Sequence, residues 1–212
     1  MMRDEKLEKI AAQYYDDRLN YHNFGHVDYV MSSARRIIES CKREGVAVDE
    51  AVVYYALLFH DAGFIDDHIA LGYKSKEAWS AEIAARELKS HGLQPDLISR
   101  VRECILATHV DSVCVTSEAK AVRAADLSGL ADEYRVFKNN AIDLMAEYEL
   151  MSGNTIGWND WKVMATDIIE LYLRQDLHLT SDYYNDKGES HFHVNTRRNI
   201  ERLLQDESDE PL

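Results

Sequence analysis

A histidine and an aspartate stand side by side at the end of an apolar stretch, residues 51–59. His60 and Asp61 follow this run directly, and Gly63 comes two residues later. The run is long enough for about three helical turns and follows Asp49, a residue type that favours the N-cap position. We therefore expect His60 and Asp61 in the last turn of a buried helix, where an unpaired carboxylate is costly without a cation or a strong donor beside it. The alternative is a surface helix end at which His60 favours the negative end of the helix dipole.

Two further residues of the same chemical types lie where packing does not explain them. Asp126 interrupts the largely apolar residues 121–127, and His26 begins a helical pattern after a turn-rich break. Two imidazoles and two carboxylates from three separate helices can converge on one cation. This mixed nitrogen and oxygen set suits a first-row divalent ion with open water positions, whereas a closed structural zinc site usually recruits cysteines.

These four residues, in this order, make the chain resemble the HD-domain metal-dependent phosphohydrolases. The signature of that family is a histidine, a His-Asp doublet and a distant aspartate on a helical core, which His26, His60-Asp61 and Asp126 match. The resemblance is closer to a small bacterial branch of predicted phosphohydrolases that starts with Tyr-His-Asn-x-x-His, as residues 21–26 do. It extends from Arg18 to Leu204, and the segments that look like the later motifs of the branch are residues 77–81, 105–109, 125–128 and 197–200.

The resemblance implies a fold, a cofactor and a reaction. The fold is all-α, a compact multi-helix HD-domain bundle. The cofactor is a divalent metal ion held by His26, His60, Asp61 and Asp126, with manganese, iron, cobalt, nickel, magnesium and zinc all open and either one or two ions bound. The reaction is hydrolysis of a phosphate ester, monoester or diester, in a small phosphorylated metabolite or nucleotide, by a water that the metal activates.

Three further residues are candidates for catalysis. Glu77, as the matching family residue, is expected to act as an acid or base or to orient the water, and the alternative is a solvated helix carboxylate beside Lys74. His109 is expected to handle a proton, to bind a second metal or to contact the substrate, and the alternative is a histidine that ends a helix. Arg18 is expected to hold a phosphate oxygen, and the alternative is an ion pair with a neighbouring aspartate.

Three other residues and three other functions stay open. His22 faces the site or shapes its turn, Lys74 is a weaker candidate for a phosphate contact, and His68 with His109 leaves room for a di-iron HD oxygenase. A catalytically silent HD-type binding or regulatory module is the main alternative function. A helical interaction protein with structural histidines is the third.

Apolar residues at helical spacing predict helices along most of the chain. Strand patterns are nearly absent and only two prolines occur, so an all-α fold is expected rather than an α/β fold. We expect one HD-type domain over residues 1–204 and an acidic, disordered tail over 205–212. The helices are expected at residues 4–19, 27–44, 50–61, 75–90, 95–109, 117–127, 131–151, 158–175 and 192–204.

Composition excludes some classes of function. The net charge of −14 argues against binding a nucleic-acid polymer, which requires a basic footprint. It is compatible with a small phosphorylated substrate, because a bound metal supplies a local positive field. Three scattered cysteines form no CxxC pair, which favours a reducing, cytoplasmic setting. No apolar run reaches transmembrane length, and the N-terminus lacks a signal-peptide core, so no membrane partner is expected.

Overall fold

The computed structural model describes residues 3–212, so the first two residues of the predicted domain lie outside the described part. Within it the chain forms nine α-helices and no β-strand, which confirms the all-α prediction; a single isolated bridge joins Tyr184 to Ser190. None of the described helices is both long enough and apolar enough to cross a membrane. The helices are α1 Glu5–Ala11, α2 Phe24–Glu44, α3 Glu50–Phe59, α4 Lys76–Ser90, α5 Pro95–Leu106, α6 Ser117–Asp126, α7 Tyr134–Ser152, α8 Trp158–Tyr172 and α9 His191–Gln205.

Contacts within the chain define two compact units. The first contains the described residues up to Arg18, together with His22–Asp126 and Asp176–Thr180. The second contains Leu19–Tyr21, Leu127–Gln175 and Ser181–Leu212. The prediction of a single domain over residues 1–204 stays a prediction.

Helix α3 is the centre of the first unit. It packs against α1, α2, α4, α5 and α6, and seven of its residues are buried. A helix that is apolar on all sides is stable only when it is surrounded. The end of α3 is therefore deep inside the unit, which is where the sequence places His60 and Asp61.

The first helix is shorter than expected. The predicted helix over residues 4–19 ends as α1 at Ala11, continues as a 3₁₀ turn to Tyr14, and gives way at Tyr15 to extended backbone with φ −107° and ψ 130°. The aspartates that follow are poor helix formers because their side chains bond nearby backbone groups. The carboxylate of Asp16 does this, since it accepts from the backbone N–H of Arg18 at 2.9 Å.

The second unit has its own core, formed by α7, α8 and α9. Trp158 and Trp161 are both buried in it, in line with their helical spacing in the sequence. The end of α9 is fixed by Lys138 and Lys162, two buried lysines. The ammonium of Lys138 lies 3.1 Å from the carboxylate of Asp206, and that of Lys162 donates to the Asp206 carbonyl at 2.7 Å. The prediction that residues 205–212 are disordered stays a prediction, and Asp206 within it makes these contacts.

Candidate metal centre

The turn that carries His60 and Asp61 begins where α3 ends, at Phe59. The last carbonyls of a helix have no partner inside the helix. At the end of α3, three of these carbonyl oxygens have a hydrogen-bond partner outside the regular helical pattern. The Leu57 oxygen faces Nδ1 of His60 at 2.9 Å, the Leu58 oxygen accepts from the hydroxyl of Tyr15 at 3.0 Å, and the Phe59 oxygen accepts from the N–H of Ala62 at 3.0 Å. Three carbonyls of this buried helix end thus have partners outside the regular helical pattern.

The His60 ring is fixed by its contact with Leu57. A carbonyl oxygen only accepts hydrogen bonds, so Nδ1 must carry the proton that it donates. Nε2 is buried and has no hydrogen-bond partner, although it lies 2.9 Å from Oδ2 of Asp61 and 3.4 Å from Oδ1 of Asp126. The Asp61 oxygen is close but out of line with the ring. A buried imidazole nitrogen that faces two carboxylates in this way can be satisfied by a proton or by a metal ion bound between them.

His26 reaches the same place from the start of α2. The side chain of Asn23 caps this helix by accepting from the N–H of Gly25 at 2.8 Å, which puts His26 in the first turn. Its ring is buried, and its Nε2 lies 3.4 Å from Oδ1 of Asp126 and 3.9 Å from Oδ2 of Asp61. The resemblance-based pairing of His26 with the doublet is thus matched by proximity in the fold.

Asp126 is the last residue of α6. This helix is fixed to the end of α5 by the buried guanidinium of Arg123, which donates to the carbonyl oxygens of Thr108 and His109. Residues on either side of Asp126 are buried, and only 19% of its side chain is exposed. The carboxylate that interrupted an apolar pattern in the sequence therefore has a place in the cluster.

The four predicted ligands lie together. In the described part of the chain they form the one group able to hold a metal ion, with one ligand atom from each residue and all four atoms within 4.8 Å of one another. Atoms bound to one ion at about 2.1 Å are about 3.0 Å apart at right angles and about 4.2 Å apart when opposite. The observed separations of 2.9 to 3.9 Å match that range. Two nitrogens and two oxygens fit a divalent first-row ion.

The electrostatics of the cluster are those of a cation site. Burial raises the pKa of Asp126, but His26 and His60 outweigh it and hold that pKa well below its usual range. Burial also raises the pKa of Asp61, and His60 and then His22 lower it to below its usual value. Burial lowers the pKa of His60, and the two carboxylates reverse this and raise it well above its usual value. The site is therefore anionic enough to retain a proton when no metal is present.

His22 lies beside the cluster and not in it. Its ring stacks on Phe64 with the centroids 3.7 Å apart and the planes 14° apart. The ammonium of Lys76 lies 3.6 Å from the centroid of the same Phe64 ring. Two groups this close to one centroid must occupy opposite faces, so Phe64 is held between an imidazole and a cation. Sequence reasoning missed Phe64, and its only signal was its place directly after Gly63.

The three predicted catalytic residues lie outside the ligand group. Glu77 is in the first turn of α4 and half-buried, and its carboxylate makes no hydrogen bond or ion pair to any other described residue. His109 follows α5, where its Nδ1 accepts from the N–H of Asp111 at 3.2 Å. Arg18 is exposed and paired with Asp16 at 2.6 Å, the ion pair that the sequence left open. The catalytic roles of all three stay predictions.

Two other candidates are placed in the loop that follows the doublet. Lys74 is exposed, and His68 accepts the N–H of Tyr73 through its backbone carbonyl at 2.8 Å. Neither His68 nor His109 belongs to the group of four.

No family model matches the chain, and neither does any curated protein. The geometry of the cluster and the ordered motif in the sequence are thus the two grounds on which a function can be argued.

Proposed function

We propose that the protein is a metal-dependent phosphohydrolase that cleaves a phosphate ester of a small metabolite or nucleotide. The observation that carries the proposal is Nε2 of His60, which is buried without a hydrogen bond and faces the carboxylates of Asp61 and Asp126. With His26 these residues form the ligand set. The resemblance to HD-domain phosphohydrolases supports the choice of reaction.

The ligands are suited to an ion that must also meet a substrate. When bound, a divalent ion at such a site lowers the pKa of a coordinated water and polarises a phosphoryl oxygen. Four protein ligands leave positions open on an ion that prefers six. Asp61 and Asp126 supply two negative charges, which leave the loaded site close to neutral. The side chains of these two aspartates are 16% and 19% exposed, so the carboxylates form the open side of the cluster.

Other residues of the chain supply the remaining chemistry. Glu77, at the start of α4 and free of ion pairs within the described chain, takes the proton from the attacking water or orients it. His109 is the second residue proposed for proton transfer. Arg18 neutralises phosphate charge, and for this it leaves the exposed ion pair with Asp16, a contact that costs little to break.

The substrate class follows from charge and size. A chain with a net charge of −14 repels a nucleic-acid polymer over most of its surface. A small phosphate ester needs only the local positive field of a metal and one or two cationic side chains. We therefore assign the protein a low-molecular-weight phosphorylated substrate.

The test begins with metal content. The protein is purified without a histidine tag and its bound transition metals are measured by elemental mass spectrometry, beside Asp61→Ala, Asp126→Ala and the control Asp17→Ala, an exposed aspartate outside the cluster. We expect near-stoichiometric metal in the parent and the control, and none in the two ligand variants, with helix content preserved in all four. The loaded protein is then screened for hydrolysis of phosphate esters and nucleotides.

Each outcome separates the alternatives. Metal with ester hydrolysis that both ligand variants lose supports the proposal. Full metal retention in both ligand variants would refute the ligand set. Bound metal without hydrolysis of any ester would favour a silent ligand-binding module, and two irons per chain would redirect the assignment to oxygenase chemistry. If the protein bound no metal after manganese, cobalt, nickel and iron had been added back, the proposed metal centre would be refuted.

A further inference from the structure

Two adjacent residues near the N-terminus hold the turn that carries His60 and Asp61. The backbone carbonyl of Tyr14 accepts from the N–H of Gly63 at 2.8 Å. The hydroxyl of Tyr15 donates to the carbonyl of Leu58 at 3.0 Å. These two bonds lie on either side of the doublet, so the turn is fixed both before and after its ligands.

The Tyr15 hydroxyl is a buried, neutral donor. Tyr15 is 8% exposed, and the carbonyl that it meets is one that α3 itself leaves without a partner. Burial is the main influence that raises the pKa of Tyr15 well above its usual value; the charge of Asp61 adds to the rise, and the backbone N–H of Asp61 opposes it. The phenol thus stays protonated and close to the backbone of a ligand residue.

The ring of Tyr15 contacts the second ligand-bearing element. It meets Phe24 edge to face, with the centroids 5.5 Å apart and the planes at 76°. Such pairs have a preferred geometry. Phe24 is the first residue of α2, two positions before His26. One side chain therefore touches both the end of α3 and the start of α2.

We propose that Tyr15 is a positioning residue of the metal centre, whose hydroxyl sets the direction of the His60-Asp61 turn and whose ring sets the start of the helix that carries His26. This inference rests on the metal centre of the proposed function. Residues that orient metal ligands change metal affinity by about 10- to 100-fold when they are lost. Tyr15 is expected to act within that range, although it is not a ligand.

The experiment compares Tyr15→Phe with Tyr54→Phe. Tyr54 is the matched control because it is buried in α3 and its hydroxyl also bonds the N-terminal segment, donating to Glu8 at 2.7 Å and accepting from the N–H of Asp4 at 2.9 Å. That contact lies at the other end of the helix. Both variants lose a buried hydroxyl, so both are expected to melt at a lower temperature than the parent.

Binding of Co²⁺ separates a positioning role from a structural one. Metal-free protein is titrated with Co²⁺ and followed by its visible absorption, which reports ligand geometry. We expect Tyr15→Phe to bind about 10- to 100-fold more weakly, with a shifted spectrum, and Tyr54→Phe to keep the parental affinity and spectrum. If Tyr15→Phe does not fold, 4-aminophenylalanine at position 15 keeps the ring and puts a weaker donor in place of the hydroxyl that bonds Leu58, and a smaller loss in the same direction is expected.

The possible results are distinct. Parental affinity and spectrum in Tyr15→Phe, or in the 4-aminophenylalanine protein if the first does not fold, would overturn the role of Tyr15 and leave the metal centre intact. Equal losses in Tyr15→Phe and Tyr54→Phe would also overturn it, because general destabilisation would then explain both. Failure of the parent and of Tyr54→Phe to bind Co²⁺ would overturn the metal centre itself.

Discussion

Nδ1 of His60 donates to the carbonyl oxygen of Leu57 across 2.9 Å, so the only position of this ring that can meet a cation is Nε2. The donor and its acceptor are three residues apart at the end of one helix. The same bond therefore completes the helix end and chooses the ring nitrogen that faces the two carboxylates. In metal sites this arrangement fixes the tautomer and raises the basicity of the ligand nitrogen.

Metal uptake is expected to release a proton from His60. Burial lowers the pKa of this imidazole, but Asp61 and Asp126 raise it well above its usual value, so metal-free protein retains a proton on Nε2 at neutral pH. Uptake of Co²⁺ at about pH 7.5 should release about one proton per ion, and affinity should rise about tenfold per pH unit until the raised pKa is passed. Titration calorimetry in buffers of different ionisation enthalpy measures the number released.

The raised pKa of His60 also determines whether the metal-free protein gains or loses stability as the pH rises. The folded-state pKa of His60 lies above the unfolded value of about 6.5. The contacts of His60 with the carboxylates therefore stabilise the metal-free fold fully below that value, and this stabilisation is lost as the pH rises through the folded-state pKa. If uptake of Co²⁺ near neutral pH released no proton, Nε2 of His60 would not be protonated in the metal-free protein.

Replacement of Gly63 by alanine is expected to destabilise the protein by about 2–4 kcal/mol, because left-handed strain and overpacking add. Gly63 has φ +74°, and a Cβ there would lie 2.5 Å from Nε1 of Trp79 and 2.8 Å from Cδ1 of Ile83. Gly72→Ala is the control, since Gly72 has φ +87° with no atom within 4 Å of its added Cβ. Urea unfolding of Gly72→Ala should show that the free energy of unfolding falls by only about 1–2 kcal/mol. Equal losses in the two variants would remove the crowding argument.

Replacement of Glu77 by glutamine is expected to leave metal content unchanged and to lower kcat by about a hundredfold, the usual size of a lost acid–base contribution. Glu82→Gln is the control on the same helix, because its carboxylate pairs with Arg102 at 3.4 Å. That variant should keep the parental rate. Steady-state kinetics on the ester found in the screen, with metal content measured in parallel, tests both. An unchanged kcat in Glu77→Gln would exclude this carboxylate from the reaction.

The thiol of Cys104 is expected to resist alkylation in the folded protein. Burial, the largest influence, raises its pKa to about 12, so at about pH 8 only about one thiol in ten thousand is the reactive thiolate. As the pH is increased towards that pKa, the rate of alkylation of Cys104 should rise about tenfold per pH unit. Mass spectrometry of peptides after iodoacetamide treatment, with and without denaturant, compares the two states. Fast labelling of Cys104 in the folded protein would show that this region opens.

The candidate metal ligands could be predicted from the sequence because polar residues occur there within or directly after apolar stretches. Asp126 lies in an apolar helix, and His60 with Asp61 ends a run that only a buried helix explains. The fold brings these residues and His26 together, as expected, and it confirms the all-α class. Helix positions followed from apolar spacing, with the largest error at the first helix.

The contacts that support the ligands were not accessible in the same way. The bond from Tyr15 to Leu58 spans 43 residues, and no local pattern encodes a pairing over such a distance. The sequence also predicts a helix at residue 15, whereas the backbone there is extended. The Phe64 ring likewise meets His22 and Lys76, which come from two other segments of the chain. Residue type and spacing identify ligands, whereas their supports appear only when separate segments meet.

The two hydrogen bonds from Tyr14 and Tyr15 give the N-terminal segment an influence that reaches well beyond its own neighbourhood. Local opening of a short segment usually exposes few amides and breaks few contacts. Here, release of residues 14–15 would free the Leu58 carbonyl and the Gly63 amide together. Hydrogen exchange at Gly63 should then follow the local release of residues 14–15 and not global unfolding, and the proposed metal ion should dissociate faster when these residues are released.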